Sequence, residues 1–243
     1  MRLSDLVLTE LARDGLGFRE QGVYLAAYAH APESMAGLAR AARLSRKTVT
    51  RACRVLAAAG WMSLRRASDR LCPVALIPKR CQVKLGKMLE ARYSSVDYRG
   101  EFLMKRFLDM WVRCDVFVDN ARPDFLCNPT TGESLEYDRH YELWDVAFEF
   151  NGPQHYGRTE WYEGPREAGE RIARDLVKES LSRKEGVELV VVRAADLEAG
   201  RLARLVPAGL PRQHVDQEGP LFETWARLAG RYRGKVQRDE RGW

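Results

Sequence analysis

Residues 144–156 read WDVAFEFNGPQHY, an alternating apolar run that ends in an Asn-Gly turn and a Gln-His pair. The alternation predicts a strand over 144–150. Glu149 stands between Phe148 and Phe150, where a side chain facing a core is normally apolar, so its charge needs a partner that offsets the cost of desolvation. A divalent cation is one such partner. Asp124, in Arg122-Pro123-Asp124-Phe125, is a candidate second ligand. The competing explanations are a buried ion pair between Glu149 and an arginine, and a turn or strand-end role for Asp124.

Working outward from this strand, the pattern predicts a helix at about 99–112 and strand-like material at 114–119 and 124–128. A turn at 128–132 and a strand at 134–138 precede the strand at 144–150. A helix at about 166–185, a strand at 187–193 and helices near 196–205 and 220–232 follow. The order α-β-β-β-α-β is an α/β (α+β) pattern, and residues 187–192, VELVVV, are apolar enough for a central strand. Asp138-Arg139-His140 reads as an exposed hairpin, with Asp138, His140 and the nearby Asp145 as alternative site members. Trp111 and Trp144 read as core residues rather than base-stacking platforms.

The N-terminal part has a different character. Residues 3–13 and 21–30 carry helical apolar spacing. Two further helices, with Met35, Leu38, Ala39 and Ala42 on the first and Val49, Cys53 and Leu56 on the second, flank the short turn Arg43-Leu44-Ser45. Ser45 is suited to cap the second helix. Strands at 61–64 and 71–77 are joined by a polar turn, and a basic helix over 79–97 ends at Ser94-Ser95. The face of the second helix opposite its apolar residues carries Arg46, Lys47, Thr50, Arg51 and Arg54, and the polar turn adds Arg65, Arg66 and Arg70.

Charge follows the same division. The 243 residues carry a net charge of +6, and residues 1–80 hold 14 Lys/Arg against 6 Asp/Glu, while 81–243 hold 26 against 28. The excess positive charge therefore belongs to the N-terminal segment, for which a polyanion is the natural partner. The five cysteines form no CxxC pair, which disfavours a structural zinc and fits reduced thiols. No apolar run approaches the roughly 20 residues that would span a bilayer, and the start of the chain lacks the apolar core of a secretory signal. A cytoplasmic protein with no membrane partner is the expectation.

Two resemblances add to this reading. Residues 20–78, including GLARAARLSRKTVTRACRVLAAAGWM, resemble a winged helix-turn-helix, whose second helix would enter the major groove while Arg65 and Arg66 reach the flanking backbone. A protein-interaction module is the alternative use of that fold. The later region, about 99–195, resembles the PD-(D/E)XK nuclease superfamily, with Arg122-Pro123-Asp124-Phe125 as the PD element and Glu149 as the (D/E)XK carboxylate. Position 151 is Asn where that pattern has Lys. The continuation Gly152-Pro153-Gln154-His155, then Asp175-Leu176-Val177-Lys178, is closer to the EDxHD branch of homing endonucleases and very-short-patch repair nucleases.

The resemblance implies a restriction-endonuclease-like mixed sheet flanked by helices and hydrolysis of DNA phosphodiesters with Mg²⁺, for which Mn²⁺ would substitute. Asp124, Glu149 and the Phe150 carbonyl would hold the ion. His155 would act as general base or cationic clamp, Gln154 would orient water or phosphate, and Glu101 would hold a metal-bound water or second ion. Asp175 completes the signature, and Lys178, one turn later, would supply the charge missing at 151. As plain alternatives, Glu101 and Asp175 are solvated helix residues and His155 a loop histidine. The expected organisation is a DNA-binding domain over 1–80, a connecting helix over 81–98 and a nuclease-like domain over 99–243. The expected partner is double-stranded DNA, with a homodimer or partner protein needed to cut both strands. Two rival functions are a DNA-binding regulator with a degenerate nuclease domain and the cleavage subunit of a transposition or repair complex.

Overall fold

The computed structural model describes residues 3–30, 32–67, 70–114, 116–152 and 165–241, and over these the chain is mixed α/β, with helices and two small sheets. It divides into two compact units, each discontinuous in sequence. The first comprises Met1–Ala91, Asp109–Cys114 and Arg212–Thr224; the second comprises Arg92–Leu108, Asp115–Pro211 and Trp225–Trp243. No helix among the described residues is long and apolar enough to cross a membrane.

In the first unit, α1 (Leu3–Arg13) and α2 (Phe18–His30) precede the pair α3 (Met35–Ala41) and α4 (Arg46–Ala58). Each helix of the pair begins after a serine whose Oγ accepts a main-chain N–H, Ser34 from Gly37 at 3.1 Å and Ser45 from Thr48 at 3.2 Å. The cap satisfies one of the N–H groups that a helix start leaves without a partner. Arg43, between them, is left-handed with φ of 52°, a conformation that is costly for a residue with a Cβ and is retained here by the tight turn. On α4, Val49, Ala52, Cys53 and Leu56 are buried, joining Tyr24, Leu38 and Trp61 in one apolar cluster. The antiparallel hairpin of β1 (Met62–Ala67) and β2 (Arg70–Ala75) follows. Trp61 anchors its entrance. The indole is fully buried, donates from Nε1 to Asp14 Oδ2 at 2.6 Å and meets Tyr24 edge-on. α5 (Lys79–Ser95) comes next.

The second unit is built on most of α6 (Arg99–Trp111), β3 (Val118–Ala121), β4 (Tyr137–Tyr141), β5 (Val146–Asn151), α7 (Pro165–Lys184) and β6 (Glu188–Arg193), followed by α8 (Ala199–Leu205) and most of α9 (Pro220–Arg241). Strand order is β3-β4-β5-β6, with β5 and β6 parallel and the other neighbours antiparallel. A parallel pair cannot be closed by a hairpin, and α7 is the crossover that joins it. The order from α6 to β6 is α-β-β-β-α-β.

Three local expectations are corrected. Residues 124–128 do not form a strand; Asp124 lies in a turn closed by the Leu126 N–H on the Pro123 carbonyl at 2.9 Å, and Pro123 has no N–H to give a ladder. Asp138-Arg139-His140 is not an exposed hairpin but the middle of β4, with Arg139 fully buried and His140 nearly so. Arg139 tolerates this because its guanidinium is almost fully engaged, by the Asp119 carboxylate at 2.7 and 3.1 Å, the Lys105 carbonyl at 3.2 Å and the Phe117 ring at 3.8 Å. β6 is an edge of the sheet rather than its centre, and Val191 on it is exposed.

Candidate active site

Strand pairing assembles the site. Arg139 of β4 lies opposite Phe148 of β5 in antiparallel register, so the next rung brings Asp138 alongside Glu149. The Phe150 N–H donates to Asp138 Oδ2 at 2.7 Å and fixes that carboxylate against β5. From α7, Lys178 Nζ donates to Glu149 Oε1 at 2.5 Å, and the two side chains are only 11% and 15% exposed. On α6, Glu101 accepts from Lys105 Nζ at 2.5 Å, and the same ammonium donates to Asn120 Oδ1 at 3.0 Å. Asn120 and Arg122 both donate to Glu136, each at 2.8 Å, which completes a polar rim on this side of the unit.

The electrostatics of the cluster are those of like charges held together. Burial, reinforced by the charges of Glu149 and Glu101, pushes the Asp138 carboxyl up to about 7, against the opposing pull of the Phe150 N–H and Lys105. Burial also raises Glu149, with Asp175 adding to the rise and Lys178 working against it. Near neutrality Asp138 is therefore poised between acid and carboxylate. Glu149 Oε2 is buried and has no hydrogen-bond partner among the described residues; Asn151 Oδ1, two positions further along β5, is in the same condition. A buried carboxylate oxygen left unmatched carries a desolvation cost that a ligand would remove.

The expected site residues are distributed unevenly by the fold. Glu149, Lys178 and Asp175 come together, and Glu101 contributes its charge to the same cluster. The partner of Glu149 is a lysine from the crossover helix rather than an arginine. Asp124 is exposed in its turn. Asp138 occupies the strand position beside Glu149 that Asp124 was expected to fill. In the sequence Asp138 is only an alternative site member, because three polar residues in a row, Asp-Arg-His, suggest solvent. The usable signal was Tyr137 and Tyr141 flanking them at strand spacing. Gln154 and His155 lie outside the described residues. Phe150 has its ring against the start of α6, where a Cβ on Gly100 would come within 2.1 Å of it.

A divalent cation can be tested against these groups. The unmatched Glu149 Oε2 and the neighbouring Asp138 carboxylate fit one, since hard oxygen ligands of like charge are what such an ion needs. The described residues offer two carboxylates and no more, for among them no group of three His, Cys, Asp or Glu is placed to hold a metal ion. Any remaining ligands would be main-chain oxygens such as that of Phe150, or water.

The second expected surface lies on α4. Arg46, Lys47, Arg51 and Arg54 are exposed, whereas Thr50 is half-buried and donates from Oγ1 to the Arg46 carbonyl at 2.8 Å. Thr50 thus serves its own helix. On β1, Arg65 and Arg66 are exposed, and Arg65 Nη2 lies 3.3 Å from His214 Nε2.

Comparison with known proteins adds one relative. An uncharacterized protein, 033L, of Invertebrate iridescent virus 3 is 36% identical over 99 residues, which is 40% of this chain and 50% of the viral one. The chain thus spans half the length of that relative. No family model matches the chain, and no solved structure does.

Proposed function

We propose that the chain is a metal-dependent DNA endonuclease of the restriction-endonuclease-like type, recruited to double-stranded DNA by an N-terminal winged helix-turn-helix. The observation that carries this reading is the largely enclosed set Asp138, Glu149 and Lys178, two half-buried carboxylates from adjacent strands with a buried lysine from the crossover helix. In this reading Asp138 and Glu149 bind Mg²⁺ or Mn²⁺, and Asp138 takes the role that sequence alone gave to Asp124. The ion supplies Lewis acidity and lowers the pKa of a bound water. Lys178 holds Glu149 by its Oε1, leaves Oε2 to the ion, and places a positive charge where the scissile phosphate gains negative charge. Gln154 and His155, close behind β5 in sequence, remain proposed contributors to orienting the phosphate or moving the proton. Cytoplasmic location belongs to the same proposal.

The test is incubation of the purified chain with supercoiled plasmid and Mg²⁺ or Mn²⁺. Nicking or linearisation is expected, with Asp138→Ala or Glu149→Ala slowing it by about 10²–10³-fold or more, while Asp124→Ala cuts at the parental rate. No metal-dependent cleavage on any DNA substrate would remove the reading, and loss of cleavage in Asp124→Ala but not Asp138→Ala would relocate the site.

A second reading, a DNA-binding regulator without nuclease activity, is favoured by a feature of the first unit. A cavity of about 1180 Å³ there is lined by Tyr24, Arg65, Arg113 and Gln213 among others. Tyr24 Oη and Gln213 Oε1 are buried in it without hydrogen-bond partners among the described residues. A small effector would satisfy them. A thermal-shift screen of nucleotides against the parent and Gln213→Ala tests this, with a shift confined to the parent expected.

A further inference from the structure

Averaging over residues 81–243 conceals a basic element. Residues 225–243 alone carry six Lys/Arg against two Asp/Glu, which leaves 20 against 26 for residues 81–224. Of these, residues 225–241 form most of α9 (Pro220–Arg241), whose inner side is firmly packed. Trp225, Leu228, Ala229 and Val236 are buried, and the Trp225 indole donates to the Leu103 carbonyl at 2.9 Å and sits 5.0 Å from the Phe107 ring. Further along, the Tyr232 ring meets Phe150 edge-on at 6.1 Å, and Tyr232 Oη would lie 2.7 Å from a Cβ on Gly100. The middle of α9 is thereby fixed against the residue that follows Glu149 and the residue that precedes Glu101.

On the outer side, Arg227, Arg231, Lys235 and Arg238 are exposed. Their spacing of four, four and three residues places them in one stripe along the helix. A row of exposed cations along one face of a helix is suited to a polyanion laid along it. Arg99, also exposed, extends it: its guanidinium stands 5.4 Å from the Tyr93 ring, and both Arg99 and Arg231 act electrostatically on the Tyr93 hydroxyl. An aromatic ring with a guanidinium beside it, in the field of a second, suits a nucleic-acid strand, which offers phosphates to the cations and sugar or base surface to the ring.

We propose that Arg227, Arg231, Lys235 and Arg238 of α9, continued by Arg99 and Tyr93, form a second nucleic-acid contact surface, a backbone track in the second unit that leads past Phe150 to Asp138 and Glu149. This rests on the nucleic-acid reading of that unit, and it adds a binding surface independent of α4. The stripe runs from Arg227 to Arg238, 12 residues with a rise of about 16 Å along the helix, the length of about five phosphates of one DNA strand.

The test uses the full chain, without divalent metal, and a short labelled DNA duplex titrated at several KCl concentrations. The background carries Arg46→Gln, Lys47→Gln, Arg51→Gln and Arg54→Gln, which silence α4. Salt-dependent binding should persist in this background. Adding Arg227→Gln, Arg231→Gln, Lys235→Gln and Arg238→Gln should then weaken it roughly tenfold or more and lower the slope of log affinity against log salt by about one for each phosphate no longer neutralised. If that variant fails to fold, Lys235→Gln with Arg238→Gln serves, with a slope change of about two. No residual binding in the background, or an unchanged slope after the α9 substitutions, overturns the track; the latter also covers a surface made for an acidic protein. A chain whose slope falls on α9 substitution yet never cleaves DNA keeps the track and loses the nuclease reading. One that cleaves with its slope intact does the opposite.

Discussion

The helix α4 and the cluster around Glu149 put their charges to opposite uses. On α4, four cations stand in water on the far side of an apolar stripe; at Glu149, carboxylates and a lysine are packed into the protein and answer mainly to one another. Charges in water act weakly at close range but over a Debye length, which suits attraction of a polyanion. Desolvated charges are expensive, and their interactions are strong and short-ranged, which suits chemistry at one point. The same residue types therefore carry different consequences for stability, and that difference can be measured.

The largest effect should come from separating the buried pair. Lys178→Ala leaves Glu149 charged and buried with no cation, and urea denaturation at pH 8 should report a loss of about 3–5 kcal/mol. The double variant Glu149→Gln, Lys178→Met should recover most of it. If the single variant costs no more than a surface substitution, the contrast with α4 fails.

Next comes Asp138, whose effect depends on pH. Its carboxyl rises from 3.8 to about 7 on folding, so between these values the folded chain holds a proton that the unfolded chain has released. Its contribution is therefore complete below about pH 4 and is lost as pH rises to 7. Asp138→Asn removes the group that resists ionisation, and at pH 8 in EDTA it should stabilise the chain by about 1–3 kcal/mol, allowing for partial exposure, with little gain at pH 4. The parent, in turn, should gain more in melting temperature from Mn²⁺ at pH 8 than at pH 6, because the ion replaces a proton. A pH-independent effect of the variant would mean that Asp138 is ionised throughout.

Smaller again is the cap. Ser45→Ala should cost about 1 kcal/mol by loss of the bond to the Thr48 N–H, and Ser45→Thr should restore it. At the bottom of the scale, neutralising Arg46, Lys47, Arg51 and Arg54 together should change stability by only about 0.5 kcal/mol. DNA affinity and its salt slope should nevertheless fall. Destabilisation comparable to that of Lys178→Ala would mean that the α4 cations are engaged in the fold.

The two regions also differ in how far they could be read. The α3 and α4 boundaries, the Ser45 cap and the buried row Val49, Cys53, Leu56 depend on neighbours three or four residues away, so local pattern located them. The charge balance misled only through averaging, since α9 is strongly basic within a segment that is acidic overall. In the second unit, Arg122-Pro123-Asp124 matched a motif, but a motif does not specify a ladder, and the chain there makes a turn. The Asp-Arg-His run looked solvated because the burial of Arg139 depends on Asp119, Phe117 and Lys105, which meet it from separate elements.

By itself the sequence determined the helices, the capped pair of α3 and α4, the strand carrying Glu149 and the basic face of α4, since each is a periodicity or a cap written within a few residues. The tertiary structure alone decided that Asp138 and not Asp124 flanks Glu149, that Lys178 is its counter-ion, and that α9 reaches Phe150 and Gly100. Those outcomes turn on strand register and on the crossing of helices distant in the chain. A one-residue slip of β4 would send Asp138 to the other face of the sheet, and only burial of the whole core selects against it.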